Sequence, residues 1–240
     1  MIDTKQHIFE CGETGSGKTY LMYWLYKQIQ GVCIFFNTQL EYRIEQASDA
    51  LVTDMAGFRE AWNKETDPGF LNENHHIRKY HKICFNPSED EDEARAQLEE
   101  LTDTLFRIGY QINKNLQEPK IWVHLFVDEI HEYSSKDNRS KTVDRIWRRG
   151  RRYGIVGIAA SQRPADVSHG ILSQCSTHII FKVNRYESPY FQRYKIPVFF
   201  DKDNDPTNKW LNEKGRDGKN KHNFAVFTGD DLELYPPVSD

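Results

Sequence analysis

Apolar residues recur along this chain in two rhythms, short unbroken runs of strand length and longer stretches in which they return every three or four positions. The runs Gln6 to Cys11, Val32 to Asn37, Lys82 to Phe85, Ile121 to Val127, Ile155 to Ala160 and Thr177 to Val183 predict strands. Between the first two, Thr19 to Gln30 predicts a helix with Met22, Leu25, Tyr26 and Ile29 on one face. A longer helix is predicted after Pro87, where Ala94, Leu98, Leu101, Leu105, Ile108 and Ile112 alternate steps of four and three. A basic helix is expected around Thr142 to Arg152. Alternating strands and helices predict an α/β fold, a mainly parallel sheet covered by helices on both faces. Two regions resist this reading. Gln39 to Tyr80 is polar and weakly periodic, and the chain beyond Pro197 reads as loop until Asn223 to Thr228, which predicts an edge strand. The expected organisation is one domain over 1–240, with a core at about 6–183, an insertion at about 39–80 and a C-terminal extension at about 197–240.

Composition narrows the class. A chain of 240 residues can bury about 70% of its unfolded surface as one unit. No apolar run approaches the roughly 20 residues of a membrane span, and no signal peptide is visible, so a cytoplasmic location is expected. Cys11, Cys33, Cys84 and Cys175 are widely spaced, which predicts reduced thiols rather than disulfides or a zinc site. The net charge of −4 restricts any contact with nucleic acid to a local basic patch.

Candidate chemistry begins directly after the first predicted strand. Gly12, Glu13, Thr14, Gly15, Ser16, Gly17, Lys18 and Thr19 fill every fixed position of a phosphate-binding P-loop in strand-loop-helix order. The glycines let successive N–H groups turn toward phosphate oxygens, and the helix that follows adds its positive dipole end. Lys18 is placed to reach the β- and γ-phosphates, and Thr19 offers its hydroxyl to Mg2+, so ATP and Mg2+ are the expected ligands. The strand ending Leu125, Phe126 and Val127 carries Asp128 and Glu129 at its tip. In that context Asp128 is expected to support Mg2+ and Glu129 to deprotonate the attacking water. A base for water implies hydrolysis and disfavours a small-molecule kinase, whose nucleophile is its substrate.

A third feature is basic. Lys136, Arg139, Lys141, Arg145, Arg148, Arg149, Arg151 and Arg152 share their stretch with only Asp137 and Asp144 as acids. With Val143, Ile146 and Trp147 facing inward, Arg145, Arg148, Arg149 and Arg152 are expected to project away from the core. An arginine offered across a subunit boundary can neutralise charge on a γ-phosphate. Gln162, at the tip of the next strand, is a candidate sensor of that phosphate. The acidic run Glu89 to Glu93 reads as the N-terminal turn of the long helix. The group His75, His76 and His81 reads as a solvated segment, since its spacing suits no metal.

Taken in order, the P-loop, the apolar strand ending in Asp128 and Glu129, the Gly150 to Ile155 stretch, and Ser161-Gln162-Arg163-Pro164 with Ile171 to Cys175 resemble the HerA/FtsK superfamily of DNA-pumping ATPases. The likeness spans about Ile8 to Val183. It implies a RecA-like ATPase core, a homo-oligomer in the form of a hexameric ring, and double-stranded DNA moved through the centre. Carried onto this chain, it makes Lys18 and Thr19 ligands of nucleotide and Mg2+, Asp128 a support for the metal, Glu129 the catalytic base and Gln162 the sensor. Arg151 is the preferred finger acting on a neighbour, with Arg148, Arg149 and Arg152 as competitors. HerA-type motors carry an N-terminal barrel and FtsK-type motors carry membrane segments and a DNA-reading domain. A core without these looks most like the genome-packaging ATPases of membrane-containing icosahedral viruses. That likeness implies a capsid vertex or viral membrane protein as docking partner and a location in host cytoplasm or virion. A plasmid or cellular translocase remains open, as does a nucleotide-dependent assembly switch without DNA. For gripping DNA, the loop Tyr133 to Thr142 offers Lys136, Arg139 and Lys141 to phosphates.

Overall fold

Burial on both faces is what turns the apolar runs into a central sheet. In the computed structural model, which describes residues 2–65, 82–119, 122–198, 205–229 and 231–238, the strands are β1 (Ile8–Cys11), β2 (Val32–Phe36), β3 (Ala50–Val52), β4 (Lys82–Phe85), β5 (Val123–Val127), β6 (Ile155–Ser161), β7 (Thr177–Ile180), β8 (Phe224–Thr228) and β9 (Asp231–Tyr235). The helices are α1 (Lys18–Gln28), α2 (Tyr42–Gln46), α3 (Met55–Glu65), α4 (Glu91–Asn113), α5 (Lys141–Arg149), α6 (His169–Leu172), α7 (Ser188–Arg193) and α8 (Pro206–Leu211). All nine strands join one sheet in the order β3-β4-β2-β5-β6-β1-β7-β8-β9. Strands β1 to β7 run parallel to one another, and β8 pairs antiparallel with both β7 and β9.

Alternate side chains of the same strands feed two cores, as the pleat requires. On one face Leu21, Met22, Leu25 and Tyr26 of α1 cover Ile8, Phe35, Phe126 and Ile158. On the other, α4 and α5 bring Leu98, Leu101, Leu105, Val143 and Ile146 onto Phe9, Ile34, Leu125 and Ile155. Aromatic contacts stitch the first core across its strands, with Phe35 stacked on Phe126 at 5.6 Å and Tyr26 edge-on to both. The four cysteines are buried free thiols.

Several sequence expectations change in position. The long helix forms with Asp90 as its N-cap, accepting from Glu93 N, and with Glu91, Asp92 and Glu93 in the first turn. Its apolar stripe does not end as spaced, because Ile108 and Ile112 are only half-buried while Gly109 and Asn113 are buried instead. A stripe repeating every 3.5 residues drifts around a helix of 3.6 per turn. Gly109 makes that drift useful, since a Cβ there would stand 2.6 Å from Tyr153 O. Asn113 Nδ2 then donates to the same carbonyl at 2.9 Å. The basic helix stops at Arg149, and Gly150–Tyr153 continue as a 3-10 turn closed by Gly154.

The two unassigned regions both add to the sheet. Part of the insertion supplies α2, α3 and the outer strand β3. In the extension, Phe224–Thr228 is strand β8 but not an edge, because β9 pairs along its far side. His75, His76 and His81 lie outside the described residues, as does Ile121 at the start of the fourth predicted strand.

Candidate functional site

The P-loop leaves β1 at the C-terminal edge of the sheet and enters α1. Gly12 N donates to Ser161 O of β6, and Glu13 N donates to Lys182 O just past β7, so both neighbouring strands pin the loop. An ion pair of 2.9 Å between Glu13 and Lys182 adds to this. Gly17, the N-cap of α1, has a φ of 110°, where a side chain would be strained. Lys18 Nζ donates to Gly12 O at 2.8 Å and Glu13 O at 3.2 Å, which holds the ammonium over the mouth of the loop.

Strand β6 lies between β1 and β5, and its tip joins the P-loop to the acidic pair. Asp128 is buried, and Thr19 Oγ1 donates to its Oδ2 at 3.1 Å. Burial, reinforced by the neighbouring Glu129 charge, pushes the Asp128 carboxyl above its ordinary value. A divalent cation would hold it ionised. A hydroxyl and a carboxylate are the hard oxygen donors that Mg2+ takes alongside nucleotide phosphates, so the residues present fit that ion.

Glu129 has a left-handed backbone with a φ of 46°, uncommon for a side chain of its size. Its Oε2 accepts from Gln162 N at 3.0 Å and stands 3.3 Å from His131 Nδ1. Burial favours the neutral acid, but the hydrogen bonds from His131 and Gln162, with the charge of Lys18, outweigh it and hold Glu129 below its ordinary value. Gln162 Oε1 in turn accepts from Thr14 Oγ1 at 2.7 Å. His131 Nδ1 lies 2.9 Å from Ser161 Oγ, which accepts from Arg163 N. A continuous polar chain therefore runs from the P-loop through Gln162 to the carboxylate and on to His131 and Ser161. Poised on that chain, an ionised Glu129 can accept a proton from a water held beside a terminal phosphate.

Glu10 belongs to none of the sequence motifs. It sits on β1 at 0% exposure, and neither carboxyl oxygen has a hydrogen-bond partner. Burial, then the Asp128 charge, raises it well above the carboxylate range against the pull of Lys18. The available signal was a lone acid in the apolar run Ile8-Phe9-Glu10-Cys11. Because its folded value is raised, the stability it contributes is full below the ordinary value near 4.5 and is lost as pH rises toward the folded value. Glu10→Gln mimics the protonated acid. It is expected to flatten the fall in stability between pH 5 and 8, by up to about 1.4 kcal/mol per pH unit, and to raise the melting temperature near neutrality. Thermal melts across that range with the same slope in both proteins would refute this.

The basic candidates separate into two groups. Several are engaged within the chain, contrary to the projecting arrangement expected for Arg145. Arg145 pairs with Asp103 of α4 and lies over the Phe106 ring at 4.2 Å. Arg139 pairs with the buried Asp144, and Lys136 pairs with Asp166 at 2.9 Å. The loop that holds them is tied down by Ser134 O accepting from Ser168 N and by Ser134 Oγ donating to Asp144 at 2.8 Å. Lys141, at the start of α5, is exposed. Arg148, Arg149, Arg151 and Arg152 are also exposed, but they precede β6 and so stand at the opposite end of the sheet from the P-loop. The seven residues of β6 separate them from Gln162 by roughly 20 Å. Arg151 stands near His7, at the entry to β1, where burial and then its charge lower that imidazole to about 3.

These elements surround a cavity of about 610 Å³, with Lys18, Thr19, Asp128, Glu129 and Gln162 among its lining residues. Fold and site together define the class, a P-loop NTPase with a mainly parallel sheet and a carboxylate set for hydrolytic chemistry. Within that class, two curated sequences match part of the chain. The DNA double-strand break repair helicase HerA of Sulfurisphaera tokodaii is 39% identical over 67 residues, and that of Sulfolobus acidocaldarius is 42% identical over 60. The first match covers 27% of this chain and 14% of the helicase, the second 24% and 12%. In structure, the chain is similar to the genome packaging NTPase B204 of Sulfolobus turreted icosahedral virus 2 in complex with AMP. The TM-score is 0.63 at 12% identity, covering 99% of this chain and 100% of that one. VirB4 of Thermoanaerobacter pseudethanolicus gives a TM-score of 0.63 at 10% identity, covering 100% and 93%. No protein-family model matches the chain. The HerA/FtsK resemblance of the motifs thus agrees with both the partial sequence matches and the fold. Among the described residues, no helix is long and apolar enough to cross a membrane.

Proposed function

We propose that this protein is an ATP-hydrolysing translocase of double-stranded DNA that packages a viral genome into a preformed capsid. The observation that carries the hydrolytic part is the Glu129 carboxylate, ionised and oriented by Gln162 N and His131 in the cavity of the P-loop. Lys18 and the loop amides would hold the phosphates, and Thr19 and Asp128 would hold Mg2+, which would supply neutralisation of the phosphate charge. Glu129 takes the proton from water while Gln162, tied to Thr14, registers whether the terminal phosphate is present.

DNA as the cargo is supported by the kind of protein the chain resembles, a packaging NTPase in overall fold and HerA in part of its sequence. Assembly into a homo-oligomeric ring, a hexamer by that likeness, is supported by the position of the four arginines. Roughly 20 Å from their own P-loop, they can meet a phosphate only on another copy. The insertion and extension belong to this same domain, and a capsid vertex or viral membrane protein is the docking partner. For DNA itself, Lys136, Arg139 and Lys141 are all exposed, but Lys136 and Arg139 must first leave their carboxylates.

The test is ATP hydrolysis with and without linear double-stranded DNA at two salt concentrations, with Glu129→Gln as the blank. Stimulation that weakens as salt rises is expected, because phosphate contacts release counterions. ATP binding without turnover would replace the motor with an assembly switch, and turnover indifferent to DNA would remove DNA as the cargo.

A further inference from the structure

Glu129 stands where a left-handed φ of 46° gives way to the 3-10 turn Ile130–Glu132, so the shape of that turn aims its carboxylate. Such backbone is costly for a residue with a side chain and persists only where its surroundings hold it. One side of the turn is held by apolar contact. Ile130 is fully buried, and Tyr133 is buried edge-on to Phe36 with ring centres 5.5 Å apart. Inside the turn, Glu132 N donates to Glu129 O at 2.9 Å and Tyr133 N to Ile130 O at 3.1 Å. The carbonyls of Glu132 and Tyr133, at its far end, are those that a helical turn leaves without an internal donor. Arg95 of α4 meets both. Its Nη1 donates to Tyr133 O at 2.8 Å and its Nη2 donates to Glu132 O. Ala94 and Leu98 seat α4 in the same core as Ile130 and Tyr133, which brings the half-buried Arg95 alongside the turn.

We propose that Arg95 is a positioning residue for the hydrolytic step, its guanidinium fixing the turn that aims Glu129 at the attacking water. The inference rests on Glu129 as the base, as proposed above, and adds a residue from outside the motifs. Arg95 does not line the nucleotide cavity, so it acts on the reaction through the turn. That turn also carries His131, whose Nδ1 lies 3.3 Å from Glu129 Oε2 and 2.9 Å from Ser161 Oγ. One fork therefore sets both the base and the imidazole beside it. A planar guanidinium suits two successive carbonyls as a single ammonium does not, and its charge complements the negative end of the turn. Without it the turn keeps its apolar anchors, loses the constraint on its polar side, and lets the carboxylate move relative to Gln162 N. A displacement of about 1 Å is enough to slow a reaction about 100-fold.

The experiment measures kcat and KM for labelled ATP, with linear double-stranded DNA present, and ADP affinity by calorimetry. The proteins are wild type, Arg95→Ala, Arg95→Lys, Glu129→Gln, and each Arg95 variant combined with Glu129→Gln. Arg95→Ala should lower kcat by about 10- to 100-fold, with KM and ADP affinity within about threefold. Arg95→Lys, which keeps the charge without the fork, should fall between it and wild type. Millimolar guanidinium should restore part of the Arg95→Ala rate where equal sodium chloride does not. With glutamine already at 129, either Arg95 change should cost less than about twofold more, because no base is left to aim. Arg59→Ala removes an exposed ion pair to Glu100 of the same helix and should leave the rate within about twofold. Unchanged kcat in Arg95→Ala, an equal loss in Arg59→Ala, a loss of ADP affinity as large as that of rate, or a further tenfold loss in the double variants would overturn the proposal. Absence of turnover in the wild type, or wild-type turnover by Glu129→Gln, would instead bring down the hydrolytic reading and this inference with it.

Discussion

Replacing Arg151 with alanine is expected to slow hydrolysis by about 10³- to 10⁵-fold in an assembled ring, while each subunit still binds nucleotide. The size follows from what a guanidinium does at a γ-phosphate, where it neutralises charge that appears only in the transition state. The place follows from the sheet. Arg151 lies on the turn that leads into β6, whereas the P-loop of the same chain meets the other end of that strand. A subunit carrying Arg151→Ala should therefore keep its own site competent and disable its neighbour's. Mixing it with Glu129→Gln subunits should restore activity in those interfaces where a normal Glu129 meets a normal arginine. Absence of any recovery over all mixing ratios would exclude Arg151 and pass the role to Arg148, Arg149 or Arg152. Arg145→Ala serves as the contrast, because its guanidinium is committed to Asp103 and should affect helix packing rather than rate.

Glu129→Gln should lower kcat by about 10²- to 10⁴-fold with nucleotide affinity unchanged within a few-fold. Glutamine retains an oxygen that can accept from Gln162 N, so the polar chain to Thr14 survives and only basicity is lost. A large fall in affinity instead would mean that the carboxylate holds the loop together rather than acting on water. The wild-type rate profile should also keep its acid limb below the ordinary glutamate value of 4.5, since the hydrogen bonds from His131 and Gln162 favour the ionised form. An acid limb well above that value would assign the titration to another group.

How much of this could be read in the sequence depended on how local each signal was. The P-loop, Asp128, Glu129 and Gln162 lie on short segments whose neighbours in sequence are also their structural setting, and the strand order then brings them together. The stripe of α4 was legible up to Leu105, but the exchange of Ile108 and Ile112 for Gly109 and Asn113 depends on Tyr153, some 40 positions away. The same holds for the arginines. Arg145 looks unpaired along its own helix because Asp103 is 42 positions back. Strand β3 is three residues long with Leu51 exposed, and β9 alternates acids with leucines at an edge, so neither offers the apolar density that marks a buried strand. Glu10 was hidden for the opposite reason, as a charge-bearing residue in a strand that reads as wholly apolar.

The proposed assembly would place the two ends of strand β6 in two different sites. Its tip, at Ser161 and Gln162, lies at the P-loop of its own subunit, and in the proposed ring the turn before it would offer arginines to the nucleotide of the next. If the arginines act across the proposed ring, its sense of rotation would be fixed by covalent order, because each β6 would begin at a neighbour's phosphate and finish at its own. With Gln162 as the proposed sensor, news of an emptied site would pass along the strand to one adjacent subunit and not to the other. A clockwise and an anticlockwise neighbour are chemically distinct from any subunit's point of view, which is the minimum a circular machine needs in order to take turns.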